Sequence, residues 1–181
     1  MLTKEIRKLH DQCVKVNELE NRIRKSRGNE RRIKIEEKRR RVRDLHPLMD
    51  HITKAFMNQL GTHGFSNFSN ADFVSIAEVM GRYLSYNIRM NAIRRFLTAF
   101  RKIEVAKPYD PDLVALVRPK LAYAVGRSSL DEKRFLLRFM GIFDPVLQAV
   151  SATGEEKDFE KSLKFMESVI AYHRFYGGDD S

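Results

Sequence analysis

IRMNAIRRFLTAFRKIEV, residues 88–105, is the stretch whose reading decides the fold. Ile93, Phe96, Leu97, Phe100 and Ile103 recur at roughly 100° per residue, so they share one side of a helix and cannot share one face of a strand. Arg94 and Arg101 lie seven apart on one flank of that helix, and Arg95 and Lys102 lie seven apart on the other. The apolar side needs a core to bury it, and the basic flanks stay at the rim.

The same period extends in both directions. Downstream, KPYDPD (107–112) breaks the chain with two prolines. A helix over about 112–126 follows, with a kink expected at Pro119. After the loop GRSSLDE (126–132), KRFLLRFMGIFDPVLQAVSA (133–152) carries Phe135, Phe139, Ile142 and Phe143 inward. The last helix begins near Asp158, holds Phe159, Leu163, Met166, Ile170 and His173 on one stripe, and stops at Gly177–Gly178. Upstream, Ser69 and Asp72 form a capping start for a helix burying Phe73, Ile76, Ala77, Met80 and Leu84. Before the loop THGFSNFSN (62–70), Pro47 opens a helix with Met49, Ile52, Phe56 and Leu60 at helical spacing, and Gly61 ends it. No strand pattern of useful length and no repeat of 20–50 residues occurs. The expectation is an all-α protein: a compact bundle of about six helices over residues 46–181.

Residues 1–45 read differently. Leu2, Leu9, Val16 and Ile23 recur every seven residues as a heptad position a, but the matching d positions, Glu5, Gln12, Leu19 and Ser26, are mostly polar. SRGN (26–29) interrupts, and a basic helix containing KRRRVR (38–43) follows. This segment is expected to be a basic helical arm or hairpin, separated from the bundle at His46–Pro47.

The chain has 181 residues, a formal net charge of +10 and a pI near 9.8. Such a balance points to a polyanion, nucleic acid before an anionic membrane surface. The charge is unevenly placed. Residues 1–45 hold 16 basic and 8 acidic side chains, residues 82–107 hold 7 and 1, and residues 141–181 hold 4 and 8. The molecule is polar end to end, which bears on self-association. The N-terminus lacks the apolar run of a signal peptide, no transmembrane span is expected, and Cys13 alone makes neither a disulfide nor a thiolate metal site; a reducing cytoplasm is the expected location.

No catalytic, metal or cofactor residue is expected. Phosphate-binding glycine loops are missing, and none of His10, His46, His51, His63 and His173 has the spacing of a helical zinc site. His173 sits on an apolar stripe, where a hydrogen-bonded core histidine is the simpler reading. Arg41-x-x-x-x-His46 resembles the motif of the all-helical HEPN ribonucleases, but twenty arginines and five histidines produce such a pair by chance. An enzyme using Arg41 and His46 and a basic scaffold or adaptor acting through the N-terminal arm are the competing readings.

Binding chemistry is better represented. In VRPKLAYAVGR (117–127), Lys120, Tyr123 and Arg127 are three and four apart and share a face. Lysine and arginine pair with phosphate, and tyrosine offers a stacking plane to an unpaired base. The plainer alternative packs Tyr123 in the core, with Lys120 and Arg127 reaching out past it.

These residues also resemble a family. RPKLAYAVGR (118–127) is similar to the PKLAYAxxR-type segment of the small subunit of the type III-A CRISPR effector, the Csm complex. AIRRFLTAFRKI (92–103) resembles that family's S-Q-I-R-R/K-F/Y-type helix, with Asn91–Ala92 in place of Ser-Gln. FMESVIAYHRFYGG (165–178) resembles its closing F-x-E-A-I/V-I/V-A-Y-H-R/K-F/Y-x-G segment. With GFSNFSNADFVSIAEVMGRYL (64–84), the resemblance spans about 50–178. It implies a non-catalytic RNA-binding subunit that stacks head to tail beside the backbone subunits, which hold the guide RNA and cut the target. The large polymerase-like subunit makes cyclic oligoadenylate and cuts DNA. Target RNA paired with guide RNA is the implied ligand, with single-stranded DNA as a second. By position, the resemblance assigns nucleic-acid contacts to Arg94, Arg95, Lys120 and Arg127, and matches Tyr123. Charge and helical phase add Arg89, Arg101 and Lys102. Tyr172, His173 and Tyr176 are implied anchors of the last helix.

Overall fold

The computed structural model describes residues 2–63, 65–106 and 108–178, without the side chains of 62 and 63; Gly64, Lys107 and the His63 side chain lie outside the described residues. Among the described residues there are only helices and connecting turns, so the protein is all-α. Two compact units are present, Met1–Ala55 and Phe56–Ser181.

The first unit is an antiparallel helical hairpin. Helix α1 runs Leu2–Lys25 and α2 runs Gly28–His63. Between them Ser26 Oγ donates to the Ile23 carbonyl at 3.1 Å, and Gly28 takes φ +56°, a left-handed conformation that glycine adopts without a Cβ clash. Lys38 Nζ meets Glu20 Oε2 at 3.1 Å, and His51 Nδ1 lies 4.0 Å from Glu5 Oε2. That register sets Leu45, Met49 and Ile52 across from Cys13, Leu9 and Ile6, and all six are buried. The seam is therefore better formed than its heptad labels predict. The partners of Leu2 and Leu9 are Ile6 and Cys13, four residues after each, so in the first half of α1 the recurring apolar position is d. In the second half Leu19 and Ser26 are buried at the expected d positions, three residues after Val16 and Ile23.

The expected break before Pro47 does not occur. Helix α2 is continuous through it. Proline has no N–H to give the Arg43 carbonyl four residues back, a local loss that flanking turns tolerate.

The second unit contains the end of α2, then α3 (Asn70–Ser85), α4 (Met90–Glu104), α5 (Pro111–Ala115), α6 (Val117–Arg127), α7 (Leu130–Thr153) and α8 (Glu156–Phe175). Ser69 caps α3 as expected, accepting from the Asp72 N–H at 3.1 Å. In α4, Ile93, Phe96, Phe100 and Ile103 are buried; Ala99 completes the stripe, and Leu97 is only half-buried. Pro119 does not kink one long helix but ends one and opens another. Its ring conflicts with the carbonyl of Ala115, the residue at which α5 stops, and it then occupies the first turn of α6, where a missing N–H costs nothing. Helix α7 starts three residues earlier than expected, because Ser129 and Glu132 form a complete capping box.

Helix α8 lies against α3, α4 and α7. It approaches α3 most closely at Gly81, where a Cβ would stand 2.6 Å from the Val169 carbonyl oxygen and 2.7 Å from the His173 nitrogen. At its N-terminal end α8 holds the loop before α3. Ser66 Oγ reaches both Asp158 carboxylate oxygens at 2.9 Å, and Lys161 Nζ donates to the carbonyls of Phe68 at 2.7 Å and Ser66 at 3.0 Å. Burial pushes the Lys161 ammonium below its ordinary pKa. Helix α7 is long and apolar enough, by composition, to cross a membrane, but Phe139, Ile142, Phe143 and Val146 are fully buried inside this unit, as in the core helix of a helical bundle.

At the other end, the Tyr176 hydroxyl donates to Glu78 Oε1 at 2.6 Å, and the Arg82 guanidinium lies 4.7 Å from its ring centroid. Desolvation, then the bond to Glu78, raises its pKa from 10.0 to about 12. The folded state thus favours the neutral phenol, a stabilisation complete below pH 10 and lost as pH rises towards 12. Tyr176→Phe is expected to flatten the fall in melting temperature across that window. An equally steep fall in the variant would contradict this anchoring role.

Candidate nucleic-acid interface

Helices α4 and α6 pack side by side, and the start of α7 closes one end of the space between them. The result is a cleft of about 730 Å³. Three features position its walls. Helix α6 buries Val117, Leu121 and Val125, which turns Lys120, Tyr123 and Arg127 outward. It is also locked to α7, where Arg118 grips Asp144 through Nε–Oδ1 at 2.6 Å and Nη2–Oδ2 at 3.1 Å. That hydrogen-bonded pair holds the Asp144 carboxyl below, and the Arg118 guanidinium above, their ordinary pKa values. The strap before α4 is fixed from α8: the buried His173 directs Nε2 at the Ile88 carbonyl, 2.8 Å away, so that nitrogen carries the proton.

Five of the eight residues expected from sequence line this cleft: Arg89 just before α4, Arg95 on it, and Lys120, Tyr123 and Arg127 on α6. All five are exposed. Tyr123 is 65% exposed, so the core-packing alternative does not hold. Arg127 Nη1 donates to the Tyr123 hydroxyl at 3.1 Å, and its guanidinium carbon sits 5.5 Å from the ring centroid, which links the cation and the aromatic plane into one element.

The other three are exposed but lie outside the cleft. Arg94 is about 100° round the helix from Arg95 and faces away. Arg101 is turned towards α8, where Nη2 meets Glu167 Oε1 at 3.1 Å. Lys102 shares the flank of Arg95 but lies two turns further along. The cleft also contains a residue that sequence reading missed, Glu132, whose S-x-x-E spacing after Ser129 was the available signal.

Acidic side chains gather near the other end of α4, although its last turn also carries Arg101 and Lys102. Glu104, Glu156, Glu160 and Glu167, with Lys164, line a second cleft of about 240 Å³ between α4 and α8. Arg89 and Glu104 lie roughly 22 Å apart along α4.

Arg41 and His46, the pair of the competing enzyme reading, both lie on α2. They stand about 140° apart around one unbroken helix. Arg41 Nε and Nη2 are both engaged by Glu37 Oε1, at 2.9 and 2.8 Å. Among the described residues, no group of three His, Cys, Asp or Glu stands close enough to hold a metal ion.

The family model described as Csm2 Type III-A matches residues 67–179, from the loop before α3 past the end of α8. The chain belongs to this family. It is therefore a subunit of the type III-A CRISPR complex, and the small-subunit resemblance of its motifs holds. The match covers every element that builds the cleft and stops short of the N-terminal hairpin. No curated protein matches the chain.

Proposed function

We propose that this chain is a non-catalytic small subunit that holds target RNA, or displaced single-stranded DNA, by its backbone in the α4–α6 cleft. The observation that carries this reading is the convergence of Arg89, Arg95, Lys120 and Arg127, two helices apart in sequence, on one exposed trough. Phosphate contacts of this kind position a strand without reading its sequence, which is left to the guide RNA. Copies stack head to tail in the cytoplasm beside the backbone and large subunits. The acidic cleft at the far end of α4 gives each copy a surface complementary to a basic neighbour.

The test is a salt titration of RNA binding by the double variant Lys120→Ala/Arg127→Ala. Each phosphate contact to a single strand contributes about 0.7 to the slope of log K against log salt, so losing two shrinks the slope by about 1.4. The loss should be equal for unrelated sequences. An unchanged slope in the folded variant contradicts these contacts, and a loss confined to some sequences contradicts backbone recognition.

A further inference from the structure

We propose that the cleft seats one unpaired nucleobase, stacked on Tyr123, with the Glu132 carboxylate accepting a hydrogen bond from the base's exocyclic amine. This rests on the nucleic-acid reading above and deepens it. A rail for phosphates needs only a charged surface, whereas about 730 Å³ falls within the range of small-molecule sites, about 300–1,000 Å³. Between the cations the lining includes the apolar Ala92, Phe96, Pro119 and Leu136, beside Asn91 and Ser128. The apolar part of that wall gives a phosphate no partner and suits the flat face of a base. Tyr123 presents an exposed ring held in place by Arg127, an arrangement that stacks any base.

Glu132 is the decisive residue. A carboxylate inside an anion-binding trough opposes phosphate. Its Oε2 is already engaged, accepting from the Ser129 N–H at 3.1 Å and the Ser129 hydroxyl at 2.9 Å. Oε1 is then a single acceptor on the cleft wall. Adenine, cytosine and guanine each carry an exocyclic amine that can donate to it; uracil offers only its N3–H, flanked by two carbonyl oxygens that repel a carboxylate. The cleft therefore favours amine-bearing bases over uracil, while the rim cations remain indifferent to sequence.

The experiment compares four ligands on the full chain by fluorescence anisotropy: eight-nucleotide oligo(A), oligo(C) and oligo(U), and an abasic ribose-phosphate oligomer of eight units. Oligo(U) should bind about tenfold tighter than the abasic oligomer, from stacking alone. Oligo(A) and oligo(C) should bind about tenfold tighter than oligo(U) or more, from the added hydrogen bond to a charged group. Glu132→Gln keeps the capping box, since glutamine serves at that position, and should bring oligo(C) and oligo(U) within twofold of each other with an unchanged circular dichroism spectrum. Tyr123→Leu should abolish the difference between oligo(U) and the abasic oligomer. An abasic oligomer that binds as tightly as oligo(U) overturns the base pocket while leaving backbone binding intact. Equal affinities for oligo(C) and oligo(U) in the wild-type chain overturn the role of Glu132. Failure to bind any of the four removes the nucleic-acid reading itself.

Discussion

Reversing two charges in the cleft, Arg95→Glu with Lys120→Glu, is expected to weaken RNA binding about a hundredfold or more at 0.1 M salt. Removing two single-strand phosphate contacts already costs about 25-fold at that salt, through counterions no longer released. Reversal adds repulsion of the same phosphates. The effect should vanish towards 1 M salt, where counterion release contributes nothing. Arg101→Glu makes the sharper comparison. Compared with Arg95→Glu alone, it carries the same change of charge on the same helix, but its side chain faces Glu167 and not the cleft. It should cost far less, even though Arg101 is as much a candidate by charge as Arg95. Equal losses from reversals at Arg95 and Arg101 would mean that binding follows net charge and not the cleft.

Gly81→Ala is expected to lower the stability of the second unit by about 2 kcal/mol. The added methyl would meet backbone atoms of α8 at 2.6 and 2.7 Å, so α3 and α8 must separate. Overpacking of a core typically costs 1–3 kcal/mol, and backbone neighbours, which cannot rotate aside, place this site at about 3. Alanine's better helix propensity offsets about 1 kcal/mol of that. Gly126→Ala in α6 isolates the second effect. Nothing stands within 4 Å of its would-be Cβ, so that variant should gain about 0.5–1 kcal/mol. Melting curves of the two variants should shift in opposite directions, with the Gly81 shift about 8 °C downward. A Gly81→Ala protein as stable as wild type would show that the α3–α8 crossing tolerates separation.

The apolar periodicity makes most of the second unit legible from sequence. Where a core stripe is long, as with Phe73 to Leu84 or Phe135 to Phe143, burial follows the helical period because no other surface can remove those side chains from water. The errors arise where one residue acts through a specific partner. Pro47 looks like a helix start and is absorbed within α2, while Pro119 breaks the chain three residues before its own position. The first half of the α1 heptad is mislabelled because its partner positions, Ile6 and Cys13, follow Leu2 and Leu9 by four residues and not by three. In the cleft, Arg94 and Arg95 are equal by charge, and only the placement of α6 selects Arg95. Long-range pairing hides the fate of other cations: Glu167, 66 residues away, engages Arg101, and Asp144 takes up Arg118, the first basic residue of the PKLAYA-like motif. Partners at such separation are not encoded in any local window.

The central claim is that nucleic acid lies in the trough between α4 and α6. Ultraviolet cross-linking of the assembled complex on target RNA, followed by mass spectrometry of the peptides, tests it most directly. The account predicts nucleotide adducts on Tyr123 and on the peptide that contains it. Adducts confined to the hairpin of α1 and α2, with the Tyr123 peptide unmodified, would contradict it.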